Sequence, residues 1–194
     1  MRLIREVTDE EMVDAFVEAD LGSTRHGALW ADFVLGDLSL YDGSCRHARA
    51  LRRIALSYIR GYGRNVALFR AFPPDASWRL VAVAVRELEN WLYLPVDGWL
   101  ALSDNSRLLR DGVANVGKLP SQDETSDCIL AVEGDVRNGK TYPPIIAAAL
   151  NESSPHIVVE GHTRATAYVR ALAPDDEVQA IVGYSAALAS WAFF

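Results

Sequence analysis

Apolar residues recur three and four positions apart from Met12 through Ala15 and Phe16 to Ala19, preceded by Thr8 and Glu11 at the spacing of a capping box. This pattern predicts a helix that Leu21-Gly22-Ser23 stops. A second helix is predicted from near Cys45 to Arg60, with Ala48, Leu51, Ile54, Ala55 and Tyr58 in one stripe, arginines 46, 49, 52, 53 and 60 on its other faces, and the GYGR turn at 61–64 ending it. The stretch 68–78 reads as a loop, because Pro73-Pro74-Asp75 cannot continue a helix. From Trp78 to about Leu94 the pattern predicts a helix, although VAVAV at 81–85 reads equally as a strand. Residues 96–120 turn at Asp97-Gly98, enter another helix and leave it through Gly117 and Pro120.

A polar, proline-bearing stretch at 117–127 marks a boundary between a helical first part, 1–120, and a mixed second part, 121–194, the two being separate units or one compact body. In the second part a short helix is predicted from Cys128 to about Val136, then a turn at Asn138-Gly139-Lys140. Tyr142-Pro143-Pro144 then leads into a strand over 145–150. A polar turn joins this to a strand over 156–159, followed by a corner at 160–163, a helix to Leu172 and a strand over 178–182. The expected fold is α+β: a helical first part packed onto a small mixed sheet.

Composition narrows this picture. The chain has 194 residues, half of them hydrophobic, which suffices for a core without covalent staples. Cys45 and Cys128 lack the spacing of a zinc site, so a reducing compartment and no structural metal are expected. The opening MRLIREVTDEEM places charges where a signal peptide needs an apolar run, and cytoplasm follows as the expected location. Val178 to Phe194 carries no charge, but it is shorter than the roughly 20 apolar residues of a membrane span. A buried strand and a terminal helix are expected there, and no membrane association.

The formal net charge is −7, and residues 121–194 hold 10 acids against 4 Lys and Arg, where residues 1–120 hold 16 against 15. Tight duplex binding draws its free energy from neutralising phosphates, so the acidic half makes DNA an unlikely partner. The arginines of the second predicted helix are the one basic cluster. They read either as a solvated face paired with Asp32, Asp37 and Asp42 or as an anion or partner surface. Trp91, Tyr93 and Trp99 gather around the turn at 97–98 and read as core rather than as a platform for bases.

The candidate chemistry sits at the corner, where IVVE runs into GHTRATAY at 157–168. Gly161 lets the backbone turn and approach a ligand, and Thr163 can cap the helix or bond a phosphate oxygen. Arg164 adds positive charge to a helix start that already exposes N–H groups. His162 is expected at the mouth as a donor or proton carrier. In the blander alternative, Arg164 pairs with Glu160 and the motif is an ordinary helix start. Lys140 can reach a phosphate or point at water, and Glu133 and Glu160, with Asp135 nearby, are the carboxylates available as a base or for a metal ion.

The run from Tyr142 to Leu172 resembles the core of the ParB/sulfiredoxin superfamily, in which a Pro-Ile-like strand precedes a second strand ending in Asp/Glu-Gly-His-His-Arg or a related motif before an alanine-containing helix. The form nearest to Glu160-Gly161-His162-Thr163-Arg164 is that of the free-serine kinases, and the likeness covers about residues 121–182. It implies nucleotide binding (ATP, ADP or CTP with Mg²⁺) through the corner. The implied cofactor contacts are Gly161, His162, Thr163, Arg164 and Lys140, and the candidate catalytic groups are Glu133, Glu160 and His162. The implied activity is that of a small-molecule phosphotransferase or a nucleotide hydrolase. His162 stands where sulfiredoxin has its reactive cysteine, which argues against peroxide-repair chemistry, and Thr163 replaces the second histidine of the kinase form. About twenty residues follow the core helix, too few for ParB's DNA-reading segment. The alternative reading is a non-catalytic ParB-like module whose helical part binds a protein partner through the arginine face and the Trp91 and Trp99 cluster.

Overall fold

The structure is a computed structural model that describes residues 1–23, 27, 30, 46–118 and 124–194, except for the side chains of 46–48. Cys45, Pro120 and the acids Asp32, Asp37 and Asp42 expected to face the arginines lie outside the described residues, as does the side chain of Arg46. The chain is α+β, with one five-stranded mixed sheet.

Strand β1 (Arg2–Val7) leads into α1 (Asp9–Leu21), whose start follows from its sequence: Glu11 N–H donates to Thr8 Oγ1 at 3.2 Å and Thr8 N–H donates to Glu11 Oε2 at 2.7 Å. Helix α2 (Arg46–Arg60) packs against α1. Its stripe differs from the predicted one, for Ala55 and Leu56 are buried while Ile54 and Tyr58 are exposed. Ala55 and Leu56 join the core with Met12, Val13 and Phe16, and the flank of α2 carries ion pairs to α1, Arg52 to Asp14 at 3.0 Å, Arg49 to Glu10 at 3.5 Å and Arg53 to Asp9. The described arginines of this face are thus committed to α1.

Strand β2 (Ser77–Ala84) takes the place of the predicted helix. Val81 and Val83 face one core and Trp78 the other, and β-branched residues in a doubly covered strand suit this position better than a helix with no polar face. Helix begins only at α3 (Val85–Leu88), and the single helix predicted for 96–120 is two, α4 (Asp97–Leu102) and α5 (Leu109–Asn115), separated by a turn with positive φ at Asp104, Asn105 and Arg107. Helix α6 (Glu124–Arg137) is longer than predicted. Then come β3 (Ile145–Ala149), β4 (Ile157–Glu160), α7 (His162–Ala171) and β5 (Glu177–Tyr184), and a 3-10 turn at Ala186–Ser190 stands where a terminal helix was expected.

The sheet order is β1-β2-β5-β3-β4, with β3 and β5 parallel and the other neighbours antiparallel. The sheet crosses the boundary expected at 117–127: β2 pairs with β5 over its whole length, from Ser77 opposite Tyr184 to Ala84 opposite Glu177. Alternate residues of β3 serve two cores. Ile145, Ala147 and Ala149 face the layer of α3 to α7, while Ile146 and Ala148 face α1, α2 and the 3-10 turn. Among the described residues no helix is long and apolar enough to cross a membrane.

Candidate functional site

Strand β4 ends at Glu160, and the chain reverses at Gly161, whose φ of +94° is left-handed. A Cβ at this position would lie 2.8 Å from Arg164 Nη2 and 3.2 Å from its Cζ, so the glycine is needed for space as well as for conformation. Arg164, in the first turn of α7, folds its guanidinium back over the glycine. Nη2 donates to Glu160 Oε2 at 2.5 Å and to the Pro144 carbonyl at 3.3 Å, which ties the start of α7 to the ends of β3 and β4. The side chains of Arg164 and Glu160 are 9% and 12% exposed. The pairing alternative for these two residues is therefore the arrangement present. Arg164 Nε, also buried, has no hydrogen-bond partner.

The corner does not stand alone. Asp20, fully buried near the end of α1, receives Arg60 Nε and Nη2 at 2.8 Å each and Trp30 Nε1 at 3.1 Å. Burial raises the Glu160 carboxyl above the usual carboxylate range; Arg164 opposes this, Asp20 adds to it and Arg60 opposes it. The Asp20–Arg60 pair is thus close enough to act on Glu160 through its charges. Sequence reasoning placed Arg60 in the arginine set of its helix but passed over Asp20, its partner. The available signal was an acid in the last turn of α1, where the helix dipole disfavours negative charge.

His162 does not stand at the mouth. It is 9% exposed, its ring stacks on Trp99 at 5.0 Å with Tyr93 beyond at 6.2 Å, and the Leu94 N–H points at its Nε2 from 3.4 Å. That contact needs Nε2 unprotonated, so a role as an exposed proton carrier is corrected to one of packing against the segment 91–99. Trp91 and Trp99 are buried with it, as the core reading predicts, and so cannot supply contacts to a partner. Thr163 is half-buried and does not cap α7: it lies inside the helix, after the cap position that Gly161 occupies, and no side chain caps that end.

The other candidates are dispersed. Lys140 Nζ binds Asp135 Oδ2 at 2.6 Å and lies 5.0 Å from the centre of the Tyr142 ring, while Tyr142 donates to the same Asp135 oxygen at 2.5 Å. Glu133 lies toward the far end of α7 from the corner. It accepts from Arg137 Nη2 at 2.8 Å and from Arg170 Nε at 2.6 Å. Burial raises its carboxyl, but the hydrogen bonds from Arg137 and Arg170 outweigh this and hold it below its ordinary range, so it is a clamp between α6 and α7 and a poor general base. No group of three or more His, Cys, Asp or Glu among the described residues is arranged to hold a metal ion, and Glu133, Asp135 and Glu160 each already bind a basic side chain. These residues do not fit a magnesium site. The orphaned Arg164 Nε at the start of a ten-residue helix is the feature that fits an anion. Comparison with protein-family models, curated proteins and solved structures found no match.

Proposed function

We propose that the chain is a non-catalytic module of ParB-like type that binds a protein partner, with the Glu160–Arg164 corner serving to lock the fold. The observation that carries this reading is the contrast between its inward chemistry and its open edge. The groups suited to catalysis are bound to one another, whereas β1 stands at the edge of the sheet with Arg2 to Glu6 all exposed. Leu3 and Ile4 are 53% and 41% exposed there. An edge strand offers a row of backbone donors and acceptors to an incoming strand. The reading is tested by incubating the protein with ATP, ADP and CTP in the presence of Mg²⁺ and following turnover. Turnover by the wild type that Arg164→Ala abolishes, with the fold intact by circular dichroism, discards it.

A second reading, nucleotide or phosphate binding at the corner, is supported by the buried and unpartnered Arg164 Nε. A phosphate there competes with the Glu160 carboxylate, so Glu160→Gln should tighten binding and Arg164→Ala should weaken it by roughly 1.5–3 kcal/mol. Calorimetric titration of the three proteins decides it; equal heats, or none, remove this reading.

A further inference from the structure

At the other end of β3 from the corner, an open cavity of about 410 Å³ lies beyond the carboxyl ends of β3 and β5. These parallel neighbours end with Ala149 opposite Tyr184, and their exits part. β3 turns back into β4, while β5 continues into the 3-10 turn whose Leu188 packs in the core beneath α1 and α2. Diverging exits beyond the carboxyl ends leave a crevice between them. The volume falls within the roughly 300–1,000 Å³ of small-molecule sites.

The lining carries both signs of charge. Arg79 on β2 lies with Cζ 5.4 Å from the centre of the Tyr184 ring, and its Nη1 meets Glu152 Oε1 at 2.5 Å. That contact uses one guanidinium nitrogen and one carboxylate oxygen. The Glu152 side chain is 71% exposed, and a surface pair of this kind adds little to stability, so parting its ends costs the fold little.

The walls are held independently of the pair. Ser153 N–H donates to Asn151 Oδ1 at 2.9 Å, and Ser154 Oγ donates to the Asn151 carbonyl at 2.8 Å, which fixes the turn that presents Glu152. Tyr184 is steadied by His156, whose Nε2 lies 3.3 Å from the phenol oxygen and whose ring stacks on Trp91 at 5.1 Å. Burial pushes the His156 imidazole down to about 4, so near neutral pH it orients Tyr184 without adding charge.

We infer that this cavity binds a small zwitterion of the α-amino-acid class, with its carboxylate on Arg79, its ammonium on Glu152 and its side chain against Leu150 and the Tyr184 ring. A ligand bearing both charges replaces one surface contact by two charge-assisted ones and leaves neither group unpaired. A simple anion gains only the contact to Arg79, and a simple cation only the contact to Glu152.

The test is titration of the whole chain with the standard L-amino acids, each beside its des-amino acid and its methyl ester, followed by thermal shift and by amide NMR. The expected result is a saturable response to one or more amino acids that Arg79→Ala abolishes, that Glu152→Gln weakens about tenfold and that neither analogue reproduces. Glu152 is exposed, so the effect of its variant does not arise from unfolding. A des-amino acid that binds as tightly as its parent overturns the assignment. So does the absence of any saturable response at millimolar concentrations, or a response that survives in Arg79→Ala.

Discussion

Two arginine–glutamate pairs, each at 2.5 Å, stand toward opposite ends of β3, and burial separates their roles. The Arg164 and Glu160 side chains are 9% and 12% exposed, and their contact joins α7 to β4. The Arg79 and Glu152 side chains are 32% and 71% exposed, and their contact spans the rim of a cavity. A buried pair holds its partners in place because neither can be solvated alone, whereas an exposed pair exchanges readily with water or with a ligand. A glycine and an arginine at a helix start thus mark a place where an anion can be held. Whether a guest is admitted depends on whether the protein has already supplied the carboxylate.

The comparison breaks most decisively at Arg164. Arg164→Met leaves the Glu160 carboxyl buried without its partner and should cost about 3–5 kcal/mol in urea unfolding. Adding Glu160→Leu to the same chain should recover most of this, since apolar replacement of a buried pair is often neutral. A loss below about 1 kcal/mol in the single variant would place the corner among the surface pairs and erase the contrast. Gly161→Ala should cost about 1–3 kcal/mol by the same measurement, because a side chain at φ +94° is strained and its Cβ would press on the guanidinium.

The pH dependence of stability sharpens the contrast further. Glu160 is raised above its ordinary 4.5 by burial, against the pull of Arg164, so the folded protein holds that proton more tightly than the unfolded chain does. Its contribution is most favourable below pH 4.5 and is lost as pH rises through the raised value. Glu133 behaves in the opposite way: burial raises it, but the bonds from Arg137 and Arg170 prevail and lower it, so its contribution is present above 4.5 and is lost as pH falls through the lowered value. Unfolding free energies measured across pH should therefore lose slope on the neutral side in Glu160→Gln and on the acid side in Glu133→Gln. The smallest effect is expected at the rim, where Glu152→Gln should change stability by less than about 1 kcal/mol.

Local signals were legible where local physics decides. The capping box at Thr8 and Glu11, the strand–glycine–helix order from 156 to 172 and the strand expected over 145–150 follow from caps, turn residues and period, and each is present within a residue of its expected bounds. Strand β2 was ambiguous because a run covered on both faces has no alternation to read, and β1 was missed because an exposed edge strand needs no apolar face. At the corner the sequence shows the residues but not their partners. Glu160 and Arg164 are four positions apart, yet the Pro144 carbonyl that Arg164 also binds and the charges of Asp20 and Arg60 that act on Glu160 come from residues distant in the chain. His162 likewise reads as a reactive group until Trp99 is seen stacked against it.

The ladder between β2 and β5 has a consequence for how the molecule is made. Ser77 and Tyr184 are 107 positions apart, and without β5 the sheet falls into two unconnected antiparallel pairs, β1-β2 and β3-β4. On a ribosome, therefore, both halves wait with raw edges until the keystone strand is delivered. A stalled or shortened chain would be a far stickier object than the finished one.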